Sequence, residues 1–241
     1  MALTNPREWM FQGWIALRLP WFPDHAETTR IGNGLLTQFP SMTDAVYDEG
    51  RRTVFFRERW EGPSRMDLSI APGSVSFISL ELERADHWRT FNMAVIRLLS
   101  DTGLFEAKFN LLQARQSIVV TIREVPDPGK RLFDVLGNNA LLQTIMRDIA
   151  CAQMGTDLEF VFPVAAGVPE KLILRFQTCG PSAAWIPANQ VWLTASAMLD
   201  PKPEKMQNIV KDWEKAQDVL LDWLSNTLHP SLIAPLIERL G

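Results

Sequence analysis

Cysteine, histidine and tyrosine are scarce in this chain, which has two, three and one of them among 241 residues. Cys151 and Cys179 make no disulfide framework, and nothing joins them at zinc-ligand spacing. His25, His87 and His229 stand far apart. Asp24-His25 and Asp86-His87 are adjacent pairs, whose side chains point apart on a helix or strand, so they are poor base–orienter pairs. No excess of basic charge is present: the net charge is −4, against a general nucleic-acid binder. Long apolar runs are missing too. The stretch from Trp9 to Phe22 is interrupted by Gln12, Arg18 and Pro20, is too short to span a bilayer, and follows no basic leader. The expectation is a cytoplasmic protein that makes no membrane contact.

Catalytic and nucleotide motifs are equally thin. Asp101-Thr102-Gly103 has the letters of an aspartic-protease loop, but such an enzyme needs two, and this one sits at a predicted helix end. Gly32-Asn33-Gly34 lacks the third glycine of a dinucleotide turn, and Pro128-Gly129-Lys130 lacks the upstream glycine of a phosphate loop. No Gly-x-Ser-x-Gly elbow occurs. No cofactor and no metal are implied.

What the chain does hold is tryptophan and phenylalanine, nine and thirteen of them. They imply either a heavily aromatic core or tryptophans presented at a contact surface. It also holds two similar segments. Residues 31–39 read Ile-Gly-Asn-Gly-Leu-Leu-Thr-Gln-Phe, and 136–145 read Leu-Gly-Asn-Asn-Ala-Leu-Leu-Gln-Thr-Ile. Each follows a strand-like run and a Pro-Asp break, and each precedes alternating runs and a long amphipathic stretch. The Gly-Asn pairs read as backbone devices for tight turns or left-handed residues beside a helix.

Alternation predicts a first strand over 9–19, then a helix over Glu27–Gln38. Strands follow at Arg52–Trp60, Arg65–Ile70 and Ser74–Glu83. A helix capped by Asp86 then runs to Gly103. An extra strand at Phe105–Leu112 leads to a second set: a strand over Gln116–Glu124 and a helix from Leu132 to about Met154. After it come strands on Leu158-Phe160-Phe162, Leu172-Leu174-Phe176 and Trp192–Met198. A closing helix runs from Pro203 to Leu228 and is ended by Pro230, with a short helix over Leu232–Leu240. The fold class is therefore α+β: two pseudo-repeated β-α-β-β-β-α units, residues 1–104 and 105–241, with antiparallel sheets backed by helices. No flexible linker divides them, so the sheets should join or pack as one body. From residue 27 to 154 the element order, α-β-β-β-α-β-β-α, resembles that of small secretion chaperones. That resemblance implies a protein-binding role and transfers no residue.

One run suggests a surface. In Arg51–Trp60, strand geometry sets Phe55, Arg57 and Arg59 on one face and Val54, Phe56 and Trp60 on the other. That first face suits an acidic protein partner, a single-stranded nucleic acid stacked on Phe55, or arginines paired with Glu58, Glu81 or Glu83. The closing helix either covers both sheets or supplies half of a homodimer interface. Taken together, the sequence points to a non-enzymatic protein-binding module: an adaptor, chaperone or inhibitor. The alternatives are a nucleic-acid-binding component using the Arg/Phe face, and an apolar-ligand carrier or enzyme with a pocket between the units.

Overall fold

The computed structural model describes residues 9–17, 21–43, 45–58, 66–80, 85–104, 111–136, 157–164, 167–180, 183–199 and 208–240. The strands are β1 (Trp9–Leu17), β2 (Val46–Asp48), β3 (Thr53–Arg57), β4 (Met66–Ala71), β5 (Ser74–Leu80), β6 (Leu111–Ile122), β7 (Asp157–Pro163), β8 (Lys171–Thr178) and β9 (Val191–Leu199). Helices α1 (His25–Gln38), α2 (Ala85–Asp101), α3 (Pro128–Leu136), α4 (Ile209–Asp222) and α5 (Ala234–Leu240) accompany them.

All nine strands form one antiparallel sheet in the order β2-β3-β4-β5-β1-β6-β9-β8-β7. The halves meet where β1 pairs with β6, Gln12 opposite Ser117. One continuous sheet, backed by helices, is thus the α+β architecture. Outward from β1 run β5, β4, β3 and β2; outward from β6 run β9, β8 and β7. The duplication is not established by this order. β2 has no counterpart among the described residues, and Gly137, the partner of Gly32 in the repeated segment, lies outside them. The order α-β-β-β-α-β-β-α is also not the one observed, since four strands separate α1 from α2.

Local chemistry explains most boundaries. Asp24 caps α1 with a full capping box: its carboxylate accepts from Glu27 N at 2.8 Å, and Glu27 accepts from Asp24 N at 3.0 Å. Gly103 ends α2 with φ 74°, the left-handed residue expected of a helix stop. Asp86, expected as the cap of α2, instead lies inside its first turn, because the helix begins at Ala85. Gly32 and Gly34 are not turn residues. Both lie within α1, where a Cβ on Gly34 would overlap Leu98 of α2 and one on Gly32 would press on Phe56. They let α1 sit close to α2 and to β3. The extra strand expected at Phe105–Leu112 lies outside the described residues up to 110, and Leu111 already belongs to β6. The expected helix over Leu132–Met154 is described only to Leu136, where α3 ends.

Pro230 does not end the closing helix. From Trp223 to Ile233 the helix widens to π geometry, and Ala234 N donates to His229 O, five residues back. A ring with no N–H is accommodated because the wider turn reassigns the donors around it. α4 packs into the protein's own core through Ile209, Trp213, Ala216 and Leu220, which is the core alternative expected for it.

The core is one cluster spanning both halves. At its centre Phe77 lies against Trp88 and Trp213, each at 5.9 Å between ring centroids. It is permitted by Gly13 of β1, where a Cβ would overlap the Phe77 ring. Beside it runs a buried hydrogen-bonded ring. Asn92 of α2 donates to Gln116 Oε1 of β6 at 2.7 Å, and Gln116 donates to the Trp213 carbonyl of α4 at 2.6 Å. Trp213 Nε1 donates back to Asn92 Oδ1 at 2.9 Å. Three elements from both halves are thereby tied, with the buried Asn92 and Gln116 amides both engaged.

Candidate functional site

β3 presents the face that the Arg-rich run suggested. Val54 and Phe56 point into the core, while Phe55 is half-buried and Arg57 exposed on the other face, as the alternation required. The Arg57 guanidinium lies over the Phe55 ring at 4.2 Å, and its Nε donates to Asp67 Oδ2 of β4 at 2.9 Å. Burial raises the Asp67 carboxyl above its ordinary range, and Arg57 pulls it back down. Among the described residues the partner of Arg57 is thus Asp67 and not Glu58, while Glu81 and Glu83 lie outside them. Arg59 and Trp60 lie outside the described residues, so the structure brings together only Phe55 and Arg57 of the expected trio.

A second surface lies at the opposite end of the sheet. β7 reads Asp-Leu-Glu-Phe-Val-Phe-Pro, and among the described residues it pairs with β8 on one side only. Which backbone groups it leaves free follows from the ladder. Val164 N donates to Glu170 O at 3.3 Å, in register with the β7–β8 pairs. Bonded pairs alternate along an antiparallel ladder. Phe162, Phe160 and Leu158 therefore turn their backbone groups to β8, while Pro163, Val161, Glu159 and Asp157 turn theirs outward. The same alternation, carried from strand to strand, agrees with Leu17 N to Gly73 O at 3.0 Å and Glu58 N to Met66 O at 3.1 Å.

The side chains of this edge are apolar and exposed. Leu158, Phe160 and Phe162 are 38%, 47% and 43% exposed on the helix side, and Val161 is 51% exposed on the other. Phe162 meets Trp223 edge-on at 5.5 Å, and Phe160 meets core Phe176 at 6.2 Å, so the row adjoins the π-helical turn. Asp157 is anchored to Arg175 of β8 by two bonds at 2.7 and 2.6 Å. That bonding holds its carboxyl below the ordinary range.

Sequence reasoning recognised Leu158, Phe160 and Phe162 as a strand but not as a surface. The available signal was Pro163, which is tolerated in a sheet only where its missing N–H faces outward. Of the abundant tryptophans, Trp88 and Trp213 are core, whereas Trp185 is 61% exposed in the β8–β9 connection, edge-on to Trp192 at 5.1 Å. A cleft of about 500 Å³ opens between the start of α1 and strands β2 and β3, lined by Phe22, His25, Thr28, Asn33 and Tyr47. It lies within the first half, not between the halves.

Asp101-Thr102-Gly103 closes α2 through Thr102 N to Leu99 O and Gly103 N to Ser100 O, an ordinary helix stop. Among the described residues no three His, Cys, Asp or Glu side chains lie close enough to hold a metal, and no helix is long and apolar enough to cross a membrane.

No protein-family model matches the chain, and no curated protein matches it. Among solved structures it is similar to a rolling circle replication initiator protein from Geobacillus stearothermophilus. The identity is 9% and the TM-score 0.29, over 92% of this chain and 83% of that one.

Proposed function

We propose that this protein is a non-enzymatic protein-binding module, an adaptor, chaperone or inhibitor, that takes an extended segment of its partner as an added strand on β7. The observation that supports this reading is the coincidence, on one edge, of outward backbone groups and a row of exposed apolar side chains. Backbone bonds supply the attachment in such a mode, and pockets for alternate side chains supply the selection. Leu158, Phe160 and Phe162 would line that selective side. An apolar edge left unpaired is otherwise a liability that sheets blunt with charge or cover.

The experiment is a pull-down with wild type, Phe160→Glu and Val161→Pro in parallel. The first variant puts a charge in the apolar row, and the second deletes an outward N–H. A defined partner held by wild type and lost from both variants is the expected result. A partner held equally by all three, or no chain of any kind held through β7, a second copy of this one included, overturns the reading.

The nucleic-acid alternative stays second. Arg57 is already engaged by Asp67 and Phe55, and a phosphate would have to displace that carboxylate. Binding of single strands that weakens steeply with salt and is lost with Arg57→Glu would reverse this order.

A further inference from the structure

We infer that the strand received by β7 is β7 of a second copy, so that two sheets join across a two-fold axis into one continuous sheet. This rests on the reading of β7 as a strand-accepting edge and names what it accepts.

Register decides how two copies of β7 can pair. A symmetric antiparallel pair must place some position of β7 opposite itself, and each choice can be scored from the sequence and the outward backbone groups. With the axis on Glu159, that carboxylate meets its own copy directly, a like-charge pair that destabilises a ladder. With the axis on Val161, Pro163 falls opposite Glu159, so the bonds flanking the axis are halved by the missing N–H. With the axis on Phe160 every conflict disappears. Glu159 and Val161, both outward-facing, lie opposite each other and exchange two bonds at each of the two symmetric places. Asp157 lies opposite Pro163 and still donates its N–H to the proline carbonyl, so the proline loses only the outermost bond.

The side chains agree with that register. Phe160 faces Phe160 of the second copy, and Leu158 faces Phe162, so the exposed apolar row covers itself. Because the backbone groups of Phe160 point to β8, the central pair is a non-hydrogen-bonded one, the type in which side chains stand closest. Asp157 is already neutralised within its own copy by Arg175. The Phe160 centring joins apolar to apolar and each carboxylate to a neutral side chain, and it alone does so with both bonded places beside the axis intact. The other edge, β2, is only three residues long. An isologous contact of this kind closes on itself, so the assembly stops at two.

The test is sedimentation of the full chain from about 1 to 100 μM, bracketing the affinities of weak and moderate dimers. It is paired with mild oxidation of Phe160→Cys against wild type. A dimer is expected that Phe160→Glu weakens at least about tenfold, roughly 1.4 kcal/mol. The Phe160→Cys chain should form a disulfide-linked dimer that wild type does not, since paired Cα atoms at such a position suit a disulfide. A dimer insensitive to Phe160→Glu, with no Phe160→Cys cross-link, overturns the inference by placing the contact elsewhere. A monomer that still holds another protein, with Val161→Pro abolishing capture, overturns self-pairing and leaves the strand-addition reading standing. A monomer that captures nothing overturns both.

Discussion

Gly13 shows how much one missing methyl group decides. It sits at the middle of β1, where a glycine ordinarily weakens a strand, and its function is to make room. The far end of the Phe77 ring of β5 occupies the space a Cβ would fill, and the ring touches Trp88, Trp213 and Phe91. Gly13→Ala should therefore lower stability by about 1–3 kcal/mol, the range for overpacking a filled core, measured by urea denaturation. Nothing in the linear pattern around Gly13 announced this, because the clash partner is more than sixty residues away in sequence. The same holds for Gly34 and Leu98. A Gly-Asn-Gly string reads as turn chemistry when only its neighbours are visible, yet it serves helix packing once the tertiary neighbour is known. Phe55 and Arg57 are the opposite case: their shared face follows from strand alternation alone. The identity of Asp67 as partner needed the β3–β4 register.

Among the described elements, the β7–β8 hairpin carries the longest row of exposed large apolar side chains, and an ion pair fixes its open end. Arg175 and Asp157 are both partly solvated, so the pair makes a modest, screened contribution. Its sign with pH is definite. The Asp157 carboxyl is held below its ordinary value by the Arg175 hydrogen bonds, so its contribution is full above the unfolded value. It fades as pH falls through the depressed one. The stability gap between wild type and Asp157→Asn should thus be open at pH 7 and close progressively in acid, read from denaturation midpoints across that range. Strand boundaries were legible because apolar and polar residues alternate in Leu158–Phe162, Leu172–Phe176 and Trp192–Met198. That β7 is an edge was legible only in Pro163. The π-helical turn was not legible at all. Pro230 normally signals a helix end, and here the register of Leu224, Leu228 and Ile233 in the core keeps the helix running past it.

For the molecule as a whole, the β1–β6 ladder and the Asn92–Gln116–Trp213 ring make the two halves share one sheet and one core. Unfolding should accordingly be a single cooperative transition. Asn92→Leu leaves both the Gln116 carbonyl and the Trp213 indole N–H without partners. At about 1–3 kcal/mol for each orphaned group, it should cost roughly 2–6 kcal/mol. A smaller cost, or two separate transitions in calorimetry, would show that the halves are not coupled as the ring implies. The joining of the sheets was anticipated from the lack of a flexible linker between residues 1–104 and 105–241. The pairing of β1 with β6 was not, because no local pattern encodes which strands become neighbours.

That pairing has a consequence for how the protein is made. Of the described strands β1 is the first to be synthesised, and it stands at the middle of their sheet. Once Leu80 has emerged, β1 can close on β5, yet its second side waits for β6, which is complete only at Ile122. During that interval the nascent chain has a temporary raw edge carrying the backbone donors and acceptors of residues 10, 12, 14 and 16. A half-made chain with such an edge is prone to pair with the wrong strand. Translation speed through residues 81–122 therefore sets how long each new molecule remains vulnerable before its own later sequence seals it.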